Sequence, residues 1–270
     1  MLAFTYTADR SGMLLVSQAC DLLRVDLLSK QISASRLPGC PPDAVSAAAV
    51  SSQSNLVAVN FGTAIHLYDA ASGKPTGSFD AGVANVHTMT FDRDGQLLAI
   101  GSNDYPLAVV YDLRKKNTVA KIVANPEGKG ATQFSLSVYS LAFSGDAHSL
   151  AIGDSKGIIT IAEGAAYNRH RYLTGHLNAV FGMCFSGDTR TLISSSSDST
   201  VRFWDLGKAA ADVPQPIAEG FINFLACDSH GIVAGSTARG VVSVWDILQR
   251  QLVGEPLTTP DSDESLVLLR

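Results

Sequence analysis

Residues 173–206 read LTGHLNAVFGMCFSGDTRTLISSSSDSTVRFWDL. The stretch opens on Gly175-His176 and closes on Trp204-Asp205. Between them lie an apolar run from Val180 to Phe185, a Gly187-Asp188 turn, and a second run ending at Ser194. A tight turn around Asp198 then leads into a third run, Val201 to Trp204. β-Branched and aromatic residues fill the runs, and Gly, Asp and Ser fill the gaps. The stretch therefore predicts three short strands joined by two turns.

The same pattern recurs outward in both directions. Upstream units close on Asp26, on Tyr68-Asp69 (LVAVNFGTAIHLYD), on Tyr111-Asp112 (VHTMTFDRDGQLLAIGSNDYPLAVVYD) and on Ala162-Glu163 (VYSLAFSGDAHSLAIGDSKGIITIAE). The last closes on Trp245-Asp246 (FINFLACDSHGIVAGSTARGVVSVWD). Closing positions 26, 69, 112, 163, 205 and 246 are 43, 43, 51, 42 and 41 residues apart, and the long interval holds an inserted segment, 125–137. A period of this size is the mark of a repeat architecture, and no stretch of twelve residues sustains a helical period.

Gly-His near the start and Trp-Asp near the end of a repeat this long resemble the unit of the WD-repeat β-propeller family. The resemblance implies an all-β fold of four-stranded blades around a central axis, commonly seven in this family; the repeats counted here give six, or seven if the tail contributes. It places a single propeller domain at 1–257 and a tail or extra strand at 258–270. The first unit shows three strands, around 2–6, 13–17 and 22–25. The run Gln251–Leu257 is expected to lie outside them and close the ring.

In the fifth unit the resemblance implies a buried hydrogen-bonded series of Asp198, His176, Ser194 and Trp204, which satisfies each polar group inside the blade. A serine, a histidine and an aspartate also compose a hydrolase triad. Here, however, the serine is matched to an indole and the chain has no GxSxG elbow. The other units have lost much of the series. The third keeps Asp104 and Tyr111 but has Val83 or Asn85 near the histidine position, and the sixth keeps Trp245 but has Arg239 at the aspartate position.

Composition narrows the function. The chain has 270 residues, 46% of them hydrophobic and 17% charged, as in a folded globular protein. A net charge of −5 without long basic runs argues against direct nucleic-acid contact, and no apolar stretch is long enough for a membrane span. The opening MLAFTYTADR does not read as a signal peptide. The four cysteines are scattered without a CxxC pair and no Asn-x-Ser/Thr sequon occurs, which leans towards an intracellular, reducing compartment, cytoplasmic or nuclear. Cys184 and Cys227 read as small core residues.

Phosphate loops, dinucleotide fingerprints, HExxH and calcium loops are missing from the sequence, and the six histidines lack metal-ligand spacing. Asp92 and Asp94 fall in an FDRDG turn and read as a solvated hairpin. No catalytic residue, cofactor or metal is expected.

Family geometry instead directs attention to the loop and first-strand start of each blade, which line one face. By alignment those positions are Ala179 and Phe181, Ser46, Asn85 and His87, Ser137 and Tyr139, and Phe221 and Asn223, with turn positions Asn103 and Ser197. His87, Asn103, Tyr139, Phe181, Ser197 and Phe221 are the candidate partner-binding residues, and the aromatics among them suit a binding hot spot. The alternative is that some simply pack against neighbouring blades. The resemblance implies a non-enzymatic scaffold subunit of a hetero-complex that binds other proteins or peptides. A receptor that delivers a peptide or modified tail to an enzyme such as a ubiquitin ligase is the second reading.

Overall fold

The computed structural model describes residues 3–7, 9, 11–41, 45–102, 107–123, 137–207, 213–216, 222–227, 232–237 and 241–258. Among them all regular structure is β-strand, and no helix is long and apolar enough to cross a membrane. The strands form six antiparallel sheets in chain order, the blades of a β-propeller. The first blade is β1 (Ala3–Tyr6), β2 (Gly12–Val16), β3 (Asp21–Asp26) and β4 (Ile32–Arg36). The second is β5 (Ala47–Ser51), β6 (Leu56–Phe61), β7 (Ala64–Asp69) and β8 (Pro75–Phe79). The third is β9 (Val86–Phe91), β10 (Leu97–Ser102), β11 (Leu107–Asp112) and β12 (Asn117–Val123). The fourth is β13 (Val138–Phe143), β14 (Ser149–Asp154), β15 (Ile159–Glu163) and β16 (Arg169–Leu173). The fifth is β17 (Val180–Phe185), β18 (Thr191–Ser196), β19 (Thr200–Asp205) and β20 (Val213–Pro216). The sixth is β21 (Ile222–Cys227), β22 (Ile232–Thr237) and β23 (Val241–Asp246), edged by β24 (Gln251–Leu252) and β25 (Leu257–Thr258). The chain divides into two compact units, one essentially the first three blades and the other the last three.

One register unites the blades. The residue before each closing acid pairs with the second residue of the second strand in every case: Val25 with Met13, Tyr68 with Val57, Tyr111 with Leu98, Ala162 with Leu150, Trp204 with Leu192, and Trp245 with Val233. The period therefore survives where the aromatic has been lost. The acid that follows has a local task. Oδ1 of Asp26, Asp69, Asp112, Asp205 and Asp246 accepts a turn N–H from Ser29, Ser72, Lys115, Gly207 and Gln249 respectively, which ties down the hairpin to the outer strand. These turn hydrogen bonds hold the Asp26 and Asp112 carboxyls below their ordinary range.

Strand alternation sends neighbouring residues to opposite sides of a blade, and both sides are buried. In β18, Leu192 joins a cluster with Ile159, Ile161 and Trp204 of the fourth and fifth blades. Ile193, next to it, joins Phe203, Val233 and Trp245 of the fifth and sixth. In the first unit Ala48 packs with Leu22, Val57 and Tyr68, while Ala47 and Ala49 pack with Leu98, Ile100 and Tyr111. The closing aromatics seal these seams. The Tyr68 hydroxyl donates to Pro38 O at 3.0 Å, and Tyr111 stacks on Phe79 with ring centroids 3.8 Å apart. Two arginines repeat one clamp in which each grips the carbonyl that follows a closing acid in the next blade. Arg24 Nη2 donates to Ala70 O at 2.9 Å, and Arg171 Nη1 to Leu206 O at 2.7 Å.

Three expectations need correction. The first blade supplies its own fourth strand, β4, paired to β3 from Asp21–Arg36 to Val25–Ile32. Gln251–Leu257 accordingly is not the strand that completes the first blade. Gln251 and Leu252 pair with β23, and Leu257 and Thr258 return to it further along. The Asp246 turn folds the chain directly back onto β23. Gly254, at a left-handed φ of 71°, and Pro256, which lacks an N–H, then split the strand in two. Finally, the cysteines are paired as Cys20–Cys40 and Cys184–Cys227. Alternation turns Cys184 to the side of the fifth blade that faces the sixth, where Cys227 lies at a Cα separation of 5.9 Å. The cysteines thus lend no support to a reducing compartment. The 125–136 insertion and the 259–270 tail lie outside the described residues.

Candidate functional site

The fifth blade is stitched internally at the end where the chain enters it. The sequence HLNA (176–179) leads into β17, and the SSSDST turn joins β18 to β19. His176 Nδ1 lies 2.8 Å from Asp198 Oδ2, and its Nε2 lies 2.8 Å from Ser194 Oγ. The Trp204 indole donates to the same Ser194 oxygen at 2.8 Å. One assignment of the protons gives each of these groups a partner in its ordinary role. The indole is donor only, so the Ser194 hydroxyl accepts from it and donates to Nε2, and Nδ1–H donates to the carboxylate. The His176 side chain is wholly buried and the Asp198 side chain is nearly so.

Asp198 also accepts the Leu177 N–H at 2.9 Å on Oδ2 and the Thr200 hydroxyl at 2.6 Å on Oδ1. Burial pushes its carboxyl up. The bonds from Thr200, Leu177 and His176 outweigh that and hold it at about 2. Ser194 is fully buried between an imidazole and an indole, so its oxygen is a structural junction closed to any substrate.

This lattice anchors a surface in the second unit. The Ser196 hydroxyl donates to Asn178 O at 2.9 Å, and the Ser197 N–H donates to Ala179 O at 3.0 Å. The loop bearing Leu177 and the start of β17 are thereby fixed to the β18–β19 turn. The fourth blade braces the same loop. The Ser140 hydroxyl donates to Val180 O at 2.8 Å, and Gly157, at φ 84°, sits so tightly under the loop that a Cβ there would lie 2.5 Å from His176 O. Tyr139 and Phe181, from the first strands of the two blades, meet with ring centroids 5.2 Å apart and planes tilted by 60°. Both are half-buried. Leu177, four residues before Phe181, is 87% exposed. An aromatic pair held on strands, and an exposed leucine on a braced loop, each present apolar area with little conformational freedom left to lose.

The other candidate positions fall elsewhere. His87 is on β9 in the first unit, exposed by area yet flanked by enough protein that desolvation pushes its imidazole below the ordinary value, leaving it neutral at pH 7. Ser46 is in the same unit and donates to Asn60 Oδ1 at 2.5 Å. Asn85 adopts a left-handed φ of 49°. Asn103, Asp104, Phe221 and Arg239 lie outside the described residues, as does the side chain of Asn223. Asp92 is buried and caps its turn by accepting the Gln96 and Leu97 N–H groups at 2.8 Å each, so it is no solvated carboxylate. Among the described residues no group of three or more His, Cys, Asp or Glu could hold a metal ion. Leu177 and Ser140 belong to no motif in the sequence. The sequence signal for Leu177 is an apolar residue in a polar loop, whereas Ser140 reveals its role only across blades.

The family described as WD domain, G-beta repeat, matches residues 168–205. WD repeat-containing protein SL1-17 of Schistosoma mansoni is 28% identical over 150 residues, 56% of this chain and 46% of that protein. Apoptotic protease-activating factor 1 of Danio rerio is 24% identical over 291 residues, 92% of this chain but 22% of that protein. The chain thus spans less than half the length of either relative. A chain in a crystal structure of a mitotic checkpoint complex superposes with a TM-score of 0.65 at 20% identity, covering 80% of this chain and 64% of that one, a likeness of fold.

Proposed function

The chain belongs to the WD-repeat β-propeller family, and on that premise we propose that it is a non-enzymatic scaffold, a subunit of a multiprotein complex that engages partner proteins through the strand starts and loops at one end of its blades. The family is generally one of non-catalytic interaction scaffolds. The observation that carries the proposal is the Tyr139–Phe181 pair on the first strands of two blades, together with the exposed Leu177 on the loop that leads into the second of those strands and that both blades immobilise. Aromatic anchors on a stiff support are where binding energy concentrates, because little ordering entropy opposes capture. The burial of Ser194 supports a structural use of the Ser–His–Asp set over a hydrolytic one. A solved neighbour taken from a multiprotein assembly is in keeping with the same role.

The test is capture of partners by the wild-type chain and by the Tyr139→Ala/Phe181→Ala double variant, with far-UV circular dichroism confirming that both are folded. Loss of partners from the folded double variant is expected, and an unchanged set of partners would refute the assignment. Partners retained at fixed stoichiometry mark a constitutive scaffold, whereas partners displaced by a short peptide mark a receptor.

A further inference from the structure

The two disulfides occupy opposite kinds of environment. Cys20, in the β2–β3 turn, is 0% exposed, and Cys40, in the segment between the first two blades, is 6% exposed. Both sit inside the apolar cluster with Leu22, Leu37, Val45 and Tyr68. Cys184 on β17 and Cys227 at the end of β21 are each only half-buried, at the margin of the cluster built from Phe203, Ile222, Val233 and Trp245. The second bridge spans 43 residues and joins the first strands of neighbouring blades, so it is a covalent tie across the seam between the fifth and sixth blades.

That seam has reason to depend on it. The fifth blade has its own His176–Asp198–Ser194–Trp204 lattice. The edge strand of the sixth is reduced to two short pieces, β24 and β25, with Leu252, Val253 and Leu257 exposed along them. A blade whose edge is fragmentary among the described residues opens more readily than its neighbours unless something holds it.

We propose that Cys184–Cys227 is a reversible thiol–disulfide site, a redox-operated clasp that controls opening of the sixth blade, while Cys20–Cys40 is a permanent structural cross-link. The reaction partner is a protein or small-molecule dithiol. One of its thiolates attacks an accessible sulfur of the bridge, which breaks the S–S bond, forms a mixed disulfide and releases one cysteine as thiolate. Its second thiol then displaces the other cysteine. The bridge gains two electrons and two protons and becomes two thiols, and the dithiol leaves as its own disulfide. Accessibility decides which bridge reacts, because the attacking sulfur must reach the bond in line, and the apolar cluster closes around Cys20 and Cys40. The proposal is independent of partner capture and is read without any partner.

The test uses the full oxidised chain under native buffer, incubated with dithiothreitol, quenched at intervals with N-ethylmaleimide and mapped by mass spectrometry. Cys184 and Cys227 should become labelled about ten-fold sooner or more than Cys20 and Cys40. In the selectively reduced protein, and equally in the Cys184→Ala/Cys227→Ala variant without reductant, hydrogen exchange should rise several-fold in 222–227 and 241–246 and stay unchanged in the first unit. Reoxidation should restore protection in the wild type only. Release of all four thiols together, labelling of Cys184 and Cys227 before any reductant is added, or selective reduction without a rise in exchange would each overturn the proposal.

Discussion

Replacing Ser194 with alanine removes one oxygen and orphans two neighbours. The Trp204 indole N–H and the His176 Nε2 each lose a 2.8 Å partner in a position closed to water. An unpaired buried polar group costs about 1–3 kcal/mol, so the pair should cost roughly 2–6 kcal/mol. Against a total stability of about 5–15 kcal/mol this is a large fraction. At roughly 2–4 °C per kcal/mol for a chain of this size, the melting midpoint should fall by roughly 4–24 °C. A control lies next door. Ser195 Oγ is equally buried but has no hydrogen-bond partner among the described residues, so Ser195→Ala should be neutral or slightly stabilising. The assay is urea and thermal unfolding of both variants, followed by hydrogen exchange of residues 176–205. If Ser194→Ala melted with the wild type, or if the two serines behaved alike, the reasoning from buried pairing would be wrong.

The same lattice gives a pH dependence. Asp198 is held at about 2 in the folded chain against an ordinary 3.8, so its stabilisation is fully present above the unfolded value and is lost as pH falls through the window between them. Asp198→Asn should be less stable near neutrality and should flatten the acid limb of a urea-midpoint profile across that window. A limb of unchanged steepness would exclude Asp198 as its source. Arg171→Met keeps the aliphatic stem but releases Leu206 O and Glu163 Oε1 (2.7 and 2.9 Å in the wild type). Because the ion pair is partly exposed, most of an expected loss of about 1 kcal/mol comes from the backbone carbonyl, and Glu163→Gln should cost less when both are measured by urea unfolding.

What the sequence discloses about this chain follows the range of each interaction. The blades are legible because their register is local. The residue before a closing acid meets the second position of a strand only twelve residues away in both Trp204–Leu192 and Ala162–Leu150. The lattice of His176, Asp198, Ser194 and Trp204 lies within one repeat and is legible for the same reason. The outer strands are not. ISASR at 32–36 is mostly exposed, so no apolar alternation marks it, and Gly254 and Pro256 divide what reads as one strand after Asp246. Contacts between blades are the least legible. The Cys184–Cys227 bridge, the two arginine clamps and the Ser140 bond to Val180 each join residues whose proximity depends on how one repeat stacks on the next. The meeting of Tyr139 with Phe181 is of this kind too, joining strands 42 residues apart in the chain.

The most direct measurement of the scaffold role is hydrogen exchange of the intact chain alone and with a protein that co-purifies with it at fixed stoichiometry. Added protection should concentrate at 139–141, 176–181 and 197–198, where the aromatic pair, Leu177 and the Ser197 turn present their surface. Protection confined to the outer strands, with those segments unchanged, would contradict the account.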